Sequence, residues 1–249
     1  MHMTTRPIAI VTGASQTRDI GAAICRQLAA TGHDLVYTYF KATADWATSF
    51  TTELQDLGAR TLALELDLSQ ADAADELFAK LEDFGTPSIL VNNAAHSTMT
   101  DWQELDAKSL DQHYAVNLRA PLLLATHFTK QFVEAKLTSG RIVQLTSGQD
   151  LGPMPDEIAY ATTKGALSTF TKTYAAAVAP LGITVNAVNP GPTDSTWMDE
   201  ATRTALKPSF PFGRIGVPED VARLIQFLVS PDGSWVTGQV IHSEGGFER

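Results

Sequence analysis

Residues 7–21 read PIAIVTGASQTRDIG, and this stretch decides the fold. The run Pro7–Thr12 is short, apolar and followed by Gly13, which is typical of a buried strand. In residues 20–31, isoleucine and leucine recur every four positions, which predicts one apolar face of an amphipathic helix. The stretch therefore predicts a strand, a glycine-containing turn and a helix in direct succession.

The same alternation of short apolar runs and longer amphipathic segments continues along the chain. The predicted strands are Pro7–Thr12, Leu35–Tyr39, Thr61–Leu66, Ser88–Asn92, Arg141–Thr146, Thr184–Val188 and Gln239–Ile241. The predicted helices are 20–31, Ala44–Leu57, Gln70–Phe84, Ser109–Ala135, Ile158–Ala179 and Pro218–Val229. Alternation of this kind predicts a parallel sheet of about seven strands with helices on both faces. We therefore expect one doubly wound α/β domain over residues 1–249, with ligands beyond the carboxyl ends of its strands.

The composition excludes several classes of function. The 249 residues contain 18 Lys and Arg against 28 Asp and Glu, a formal net charge of −10. A field of this sign repels phosphate polymers and anionic lipid, so neither nucleic acid nor a membrane is expected as partner. A single cysteine excludes an internal disulfide, and the six histidines show no metal-ligand spacing. No leader or membrane-spanning stretch is recognised, so we expect a cytoplasmic protein. The cysteine count and the histidine spacing lead us to expect no metal site.

The loop Thr12–Gly21 is suited to binding phosphate. Glycine permits a sharp turn and a close approach to a pyrophosphate, which the N–H groups of the following helix attract. The loop lacks the Gly-Lys-Ser/Thr ending of a P-loop. Asp19 is placed to cap the helix by accepting its first N–H groups. Taken alone, the loop is also compatible with an ordinary turn between a strand and a helix.

Three more segments follow strand ends in an order that matches a known family. They are Asp67-Leu68 after the third predicted strand, Asn92-Asn93-Ala94-Ala95 after the fourth, and Asn189-Pro190-Gly191-Pro192-Thr193 after the sixth. With the glycine loop, they resemble the short-chain dehydrogenase/reductase family, whose loop is Thr-Gly-x-x-x-Gly-x-Gly. This chain departs from that pattern because its loop is two residues longer, with Asp19 where the middle glycine would stand.

The resemblance implies a nicotinamide dinucleotide bound by these loops. The cofactor-binding residues that it implies are Gly13, Ser15, Arg18, Ile20, Gly21, Tyr39, Lys41, Asp67, Leu68, Asn93, Ala94, Tyr160, Lys164, Pro190, Gly191 and Thr193. An acidic residue at the end of the second strand would bind the ribose 2′-OH and repel a 2′-phosphate, but Tyr39 stands there. Lys41 and Arg18 could contact a 2′-phosphate, so NADP(H) is predicted in preference to NAD(H).

A second group of residues points to proton transfer. Tyr160 and Lys164 are four positions apart in a predicted helix, so they share a face, and Ser147 follows the fifth predicted strand. With Asn117, they resemble the Asn, Ser, Tyr and Lys tetrad of the family. A carbonyl that receives a hydride needs a proton donor, and a phenol with an ordinary pKa near 10 can serve as one. An adjacent ammonium lowers the pKa of such a phenol by stabilising the phenolate.

The resemblance assigns a role to each member of this tetrad. Tyr160 is the general acid, and Lys164 stabilises its phenolate. Ser147 donates a hydrogen bond to the substrate oxygen, in the manner of an oxyanion stabiliser. Asn117 holds a water that passes protons to Lys164. The substrate contacts that we expect are His96, Gln149 and Trp197.

The last third of the chain narrows the resemblance. The segments Phe212–Asp220, Thr237–Val240 and Glu244–Gly246 are similar to the 3-oxoacyl-[acyl-carrier-protein] reductase-like group, although Glu244 replaces the usual aspartate. The prediction is an NADPH-dependent oxidoreductase that interconverts a ketone, for instance a 3-oxoacyl thioester, and a secondary alcohol. Because family members are commonly tetramers, the resemblance also implies a homotetramer or homodimer.

Two alternatives stay open. An enoyl reductase of the same family is suggested by the long glycine loop, but that branch carries Tyr-x6-Lys, and Glu157 stands seven residues before Lys164. A non-catalytic dinucleotide sensor would keep the glycine loop and would not need Ser147 or Tyr160.

Overall fold

The computed structural model describes residues 6–249, apart from the side chain of Ala44, and contains a seven-stranded sheet. The strands are β1 (Ile8–Val11), β2 (Asp34–Tyr39), β3 (Thr61–Glu65), β4 (Ile89–Asn92), β5 (Gly140–Leu145), β6 (Ile183–Asn189) and β7 (Val240–His242). Their order is β3-β2-β1-β4-β5-β6-β7, and all neighbouring pairs are parallel. The predicted fold class is therefore confirmed. Residues 1–5 of the predicted domain lie outside the described residues, and the domain boundaries stay a prediction.

The helices differ from the predicted ones in three places. They are α1 (Ile20–Ala30), α2 (Ala44–Asp56), α3 (Ala73–Ala79), α4 (Ala107–Tyr114), α5 (Ala120–Glu134), α6 (Ile158–Val178), α7 (Glu200–Leu206) and α8 (Pro218–Val229). The helix predicted over Gln70–Phe84 spans only Ala73–Ala79, because the chain forms turns from Lys80 to Phe84. The helix predicted over Ser109–Ala135 corresponds to an unbroken helical run from Ala107 to Glu134, in which a π-helical turn at Ala115–Arg119 lies between α4 and α5. Pro121 has no N–H to donate to the carbonyl of Asn117, which weakens the regular ladder at this point. Helix α7 was not predicted.

Apolar residues of the strands pack on both faces of the sheet. In β1, Ala9 and Val11 join a buried cluster with α1, α2 and α8, whereas Ile8 and Ile10 join a second cluster with α3, α5 and α6. Strands buried on both faces read as continuous apolar runs, which explains the sequence of β1. Cys25 is fully buried in the first cluster, consistent with a packing role.

The crossover from β3 to β4 places the carboxyl ends of β1 and β4 side by side. Chain order reverses at this pair of strands, and ligands of doubly wound sheets bind in the crevice that forms there. Within residues 6–249, no helix combines the length and the apolar character needed to cross a membrane. The same residues contain no cluster of three metal-ligating side chains.

Candidate active site

Asp19 organises the glycine loop. One carboxylate oxygen accepts the N–H groups of Ser15 and Gln16 at 2.7 and 2.8 Å, and the other accepts that of Ala22 at 2.6 Å. Burial raises the pKa of the Asp19 carboxyl, and the three N–H donors oppose this rise. The predicted capping of α1 is confirmed. The same carboxylate also closes the lengthened loop into a compact turn.

Gly13 and Gly21 lie where a side chain has no room. A Cβ on Gly13 would be 2.6 Å from Ala94 Cα, and a Cβ on Gly21 would collide with the carbonyl of Gly13. Gly13 also has a φ of +74°, which favours glycine. Asn93 donates from Nδ2 to the carbonyls of Thr12 and Gly13, both at 2.9 Å. The loop after β1 is thereby held against the loop after β4, at the point where chain order reverses.

A cleft of about 430 Å³ opens beside this contact. Its walls include the predicted cofactor residues Gly13, Ser15, Tyr39, Lys41, Asp67, Leu68, Asn93 and Ala94, and the predicted substrate residue His96. Helix α1 begins at Ile20, so the N–H groups of Ile20 and Gly21 have no acceptor inside the helix. The cleft passes the carboxyl ends of β1, β2, β3 and β4 and includes Gly13 and Ser15 of the loop that leads into α1.

Lys41 stands at the end of β2 in a strained conformation. Its φ is +56°, a region that residues other than glycine adopt at a cost and that recurs at functional sites. Its Nζ lies 4.9 Å from the centre of the Phe40 ring, and the N–H of Phe40 donates to Ser15 Oγ at 3.2 Å. This arrangement places Lys41 and Ser15 at the same part of the cleft.

Arg18 lies elsewhere. Its guanidinium is 3.6 Å from the carboxylate of Asp194, which follows β6, and Arg203 holds the same carboxylate at 2.9 Å. Strands β6 and β2 lie on opposite sides of β1 in the sheet, so Arg18 and Lys41 lie near strand ends on opposite sides of β1. Contact between Arg18 and a 2′-phosphate stays a prediction. No motif or spacing in the sequence indicates Asp194 as a partner of the glycine loop.

Asp67, one of the predicted cofactor-binding residues, is firmly held by hydrogen bonds within its own turn. Its carboxylate accepts the N–H of Ser69 at 2.9 Å and Nε2 of Gln70 at 3.2 Å. Burial acts to raise the pKa of this carboxyl, but the hydrogen bonds from Ser69 and Gln70 outweigh burial and lower it. Asp67 is therefore an ionised acceptor at neutral pH, oriented by its own turn.

Ser147, Tyr160 and Lys164 come together at the carboxyl end of β5. Lys164 is buried, and its Nζ donates to the carbonyl of Leu145 at 2.6 Å. The same Nζ lies 5.6 Å from the centre of the Tyr160 ring. The Ser147 hydroxyl lies near that of Tyr160 and acts on the phenol as a hydrogen-bonding group that lowers its pKa. Three members of the predicted tetrad thus form one cluster.

The protonation of this cluster is set mainly by burial. Burial raises the pKa of Tyr160 to about 12, the charge of Glu157 adds to the rise, and the hydrogen bond from Ser147 opposes it. Burial also lowers the pKa of Lys164 to about 8. The sequence predicts that Lys164 lowers the pKa of the Tyr160 phenol. In this structure that pKa is raised instead, mainly because the phenol is buried. Tyr160 therefore stays protonated at neutral pH, the state that a general acid requires.

Asn117 lies in the π-helical turn, and its side-chain amide is hydrogen-bonded to the backbone of His96 and to the hydroxyl of Thr163. Its Oδ1 accepts the N–H of His96 at 2.7 Å, and its Nδ2 donates to the carbonyl of His96 at 2.8 Å and to Thr163 Oγ1 at 3.1 Å. These contacts link the cleft wall at His96 to α6 beside Lys164. π-Helical turns are frequent at functional sites, but no feature of the sequence indicated one here. The predicted water relay stays a prediction.

The three predicted substrate residues have different surroundings. His96 lines the cleft, with its ring centre 4.7 Å from that of His113. Trp197 is 59% exposed and donates from Nε1 to the carbonyl of Thr193 at 2.9 Å. Gln149 is hydrogen-bonded inward, to Ser147. Substrate contact by these residues stays a prediction.

Glu244, the residue that departs from the family's aspartate, ties two loops of the site together. Its Oε2 accepts Nδ2 of Asn189 at 3.0 Å, and Arg249 donates to both of its carboxylate oxygens, at 2.9 and 2.7 Å. The Arg249 guanidinium packs on Gly148 and Glu244 packs on Gly191, where neither glycine has room for a Cβ. This ion pair therefore joins the loop after β5 to the segment after β6.

Comparisons with known proteins agree with this geometry. A sequence model of the family described as enoyl-(acyl carrier protein) reductase matches residues 13–248. The uncharacterized oxidoreductase YjdA of Bacillus subtilis is 54% identical over 250 residues, with both chains fully covered. A short-chain dehydrogenase/reductase from Serratia marcescens superposes with a TM-score of 0.89 at 32% identity, covering 98% of each chain. The chain belongs to the short-chain dehydrogenase/reductase family.

A second solved structure is similar to this short-chain dehydrogenase/reductase over almost its whole length. Acetoin dehydrogenase YohF from Salmonella typhimurium superposes with a TM-score of 0.87 at 30% identity, covering 97% of this chain and 96% of its own. The protein is an NAD(P)-dependent oxidoreductase that acts on carbonyl and alcohol groups.

Proposed function

We propose that this protein reduces a ketone with NADPH and that Tyr160 supplies the proton to the carbonyl oxygen. The observation that carries the proposal is the cluster of Ser147, Tyr160 and Lys164 at the end of β5. The buried ammonium of Lys164 is held by the carbonyl of Leu145 and lies 5.6 Å from the centre of the Tyr160 ring. A nicotinamide dinucleotide, when bound, supplies the hydride. Every other step falls to side chains of this chain.

Proton transfer follows from the states of the three side chains. Tyr160 is protonated at neutral pH, so its hydroxyl donates to the oxygen that becomes negative in the transition state. Ser147 donates a second hydrogen bond to the same oxygen and supports that charge. The Lys164 ammonium then stabilises the phenolate that Tyr160 leaves behind, because opposite charges favour the ionised form.

The preference for NADPH rests on the end of β2. No acid stands there to bind a ribose 2′-OH, and Lys41 lines the cleft at this position. A charge-assisted hydrogen bond contributes about 1.5 kcal/mol, so Lys41→Met should reduce kcat/KM for NADPH by about tenfold. The same variant should leave kcat/KM for NADH unchanged. Arg18 pairs with Asp194 on the other side of β1, so a similar loss for NADPH in Arg18→Met would be needed to support its predicted contact with the 2′-phosphate. Comparable turnover of wild type with both cofactors at equal low concentration would count against the proposal.

The substrate is best tested with a panel. NADPH consumption with acetoacetyl thioesters, cyclic diketones and simple ketones would show which carbonyl class is reduced. Oxidation of NADPH by none of these compounds, together with tight NADPH binding, would favour the non-catalytic sensor instead.

The description of the matching family model favours a second candidate, an enoyl reductase. Glu157 occupies the position that carries tyrosine in the Tyr-x6-Lys pattern of that branch, which supports carbonyl reduction. Crotonyl and acetoacetyl thioesters, offered at equal concentration, separate the two. Faster reduction of the crotonyl double bond would replace the proposed activity.

A cytoplasmic homotetramer or homodimer completes the proposal. Apolar side chains are exposed on α4 and α5, at Tyr114 and Leu123, and next to the edge strand β7, at Trp235. Surfaces of this kind support self-association. Light scattering on the purified protein would give the mass, and a monomer across the micromolar range would exclude both assemblies.

A further inference from the structure

The side chain of Gln149 bridges the loop after β5 and the helix α6. Its Oε1 accepts the backbone N–H of Ser147 at 3.1 Å, and its Nε2 donates to Ser168 Oγ at 3.1 Å. A backbone N–H can only donate, so the oxygen end of the amide must face Ser147. Both ends of this amide are therefore engaged by the protein, although the sequence predicts Gln149 as a substrate contact.

Ser168 is a firm anchor for this bridge. It is buried, and its hydroxyl donates to Asp150 Oδ2 at 2.7 Å while it accepts from Gln149. On α6, Tyr160, Lys164 and Ser168 follow one another at intervals of four residues, which places them along one face. Through Ser168, the loop that carries Ser147 is thus connected to the helix that carries the phenol and the ammonium.

The backbone N–H of Ser147 donates to Gln149, whereas Arg249 packs on the next residue, Gly148. Ser147 has an extended backbone and is followed by one short 3₁₀ turn, Gly148–Asp150. The position of its hydroxyl relative to Tyr160 therefore depends on what holds the Ser147 backbone. A misplacement of about 1 Å between reacting groups can cost about a hundredfold in rate, so a single hydrogen bond at this point has kinetic consequences.

We propose that Gln149 is a positioning residue, which sets the Ser147 hydroxyl against the Tyr160 hydroxyl by holding the Ser147 N–H and anchoring it to Ser168. This inference rests on the proposed carbonyl reduction. It differs from the role in substrate binding that the sequence suggests, since a positioning residue changes kcat and a substrate contact changes KM.

The test is a double-mutant cycle with Gln149→Met and Ser168→Ala, in full-length protein. Kinetics use NADPH and the acetoacetyl thioester or diketone that wild type reduces fastest. We expect Gln149→Met to lower kcat by about tenfold with both KM values within about twofold. Because Ser168 acts through Gln149, the double variant should be no slower than Gln149→Met alone. Thr169→Ala, an exposed hydroxyl on the same helix, is the matched control and should keep wild-type kcat.

Three kinetic results would overturn the inference. One is a kcat of Gln149→Met within twofold of wild type. Another is a loss of kcat in the double variant that equals the product of the losses in the two single variants. The third is a rise in carbonyl KM at unchanged kcat, which would return Gln149 to substrate binding.

Hydrogen exchange gives a readout that does not need turnover. Loss of the Gln149 bond should speed exchange of the Ser147 amide by at least about tenfold in Gln149→Met, with no change in Thr169→Ala. Unchanged exchange would overturn the inference even if wild type reduced no carbonyl of the panel. In that case the proposed function fails separately, and faster exchange would still establish that Gln149 holds the Ser147 backbone.

Discussion

Replacing Lys164 by methionine measures what the buried ammonium costs the fold. Burial lowers the pKa of Lys164 from 10.5 to about 8. Each tenfold change in an acid constant corresponds to about 1.4 kcal/mol, so the charged side chain destabilises the folded state by roughly 3 kcal/mol. Methionine also loses the hydrogen bond from Nζ to the carbonyl of Leu145, which contributes about 1 kcal/mol. We therefore expect Lys164→Met to raise the free energy of unfolding by about 2 kcal/mol at pH 7, while turnover is lost.

The pH dependence of this difference has a definite sign. Below about pH 8, Lys164 is protonated in both the folded and the unfolded chain, so wild type carries the whole penalty. Between about pH 8 and 10.5 the folded protein has released the proton and the unfolded chain still holds it, so wild-type stability rises with pH. Above 10.5 both forms are neutral. The variant should then be about 1 kcal/mol less stable than wild type, because only the lost hydrogen bond remains.

Urea denaturation at pH 7 and pH 10, at one fixed protein concentration, checks both the magnitude and the sign. Lys172→Met is the matched control, because Lys172 is an exposed lysine on the same helix. It should change the free energy of unfolding by less than about 0.5 kcal/mol at either pH. A Lys164→Met variant that is less stable than wild type at pH 7 would refute this prediction. So would a difference in the free energy of unfolding between variant and wild type that is the same at both pH values.

Three further substitutions test other parts of the site. Tyr160→Phe should lower kcat by about a thousandfold and leave the Kd for NADPH within about twofold. The control variant Tyr174→Phe should keep wild-type activity. Retained turnover in Tyr160→Phe would exclude the role of Tyr160 as general acid. Asp19→Ala removes three hydrogen bonds at the start of α1 and should lower the free energy of unfolding by about 2 kcal/mol, measured by urea denaturation; an unchanged midpoint would contradict the capping role. Glu244→Gln removes the ion pair with Arg249 and should lower the free energy of unfolding by about 1 kcal/mol, measured by urea denaturation. An unchanged midpoint would contradict the role of this pair in joining the two loops.

The sheet and the place of the site could be predicted because both depend on periodic features. Strands such as β1 are apolar without interruption since both of their faces are buried, and this pattern is visible in the sequence. Once the strands are assigned as parallel, their carboxyl ends must meet at one edge. Ser147 and Asn93, which are distant in sequence, therefore had to lie on the same side of the sheet.

Side-chain direction at the strand ends could not be predicted in the same way. Gln149 faces inward because Ser168, 19 residues later, offers a partner, and only the folded helix brings that hydroxyl into reach. Arg18 meets Asp194 for a similar reason, since the loops after β1 and β6 approach one another only in the folded chain. The π-helical turn around Asn117 could not be predicted from the spacing of apolar residues. Pro121 has no N–H to donate to the carbonyl of Asn117, but a proline alone does not indicate a π-helical turn.

The lengthened glycine loop departs from the family pattern in sequence and reaches a compact turn by another route. In the family pattern, glycine supplies conformational freedom at the middle position of the loop. Here Asp19 stands at that position, and its carboxylate takes the N–H groups of Ser15, Gln16 and Ala22. The loop is thus ordered by side-chain hydrogen bonds before any ligand arrives, and a preorganised loop loses less conformational entropy on binding. In the proposed function, a diphosphate bound at this helix N-terminus would be repelled by the carboxylate, and the three N–H donors and the nearby cation Arg26 would offset that repulsion. The N–H groups of Ile20 and Gly21 have no acceptor inside the helix and would be the donors to the phosphate.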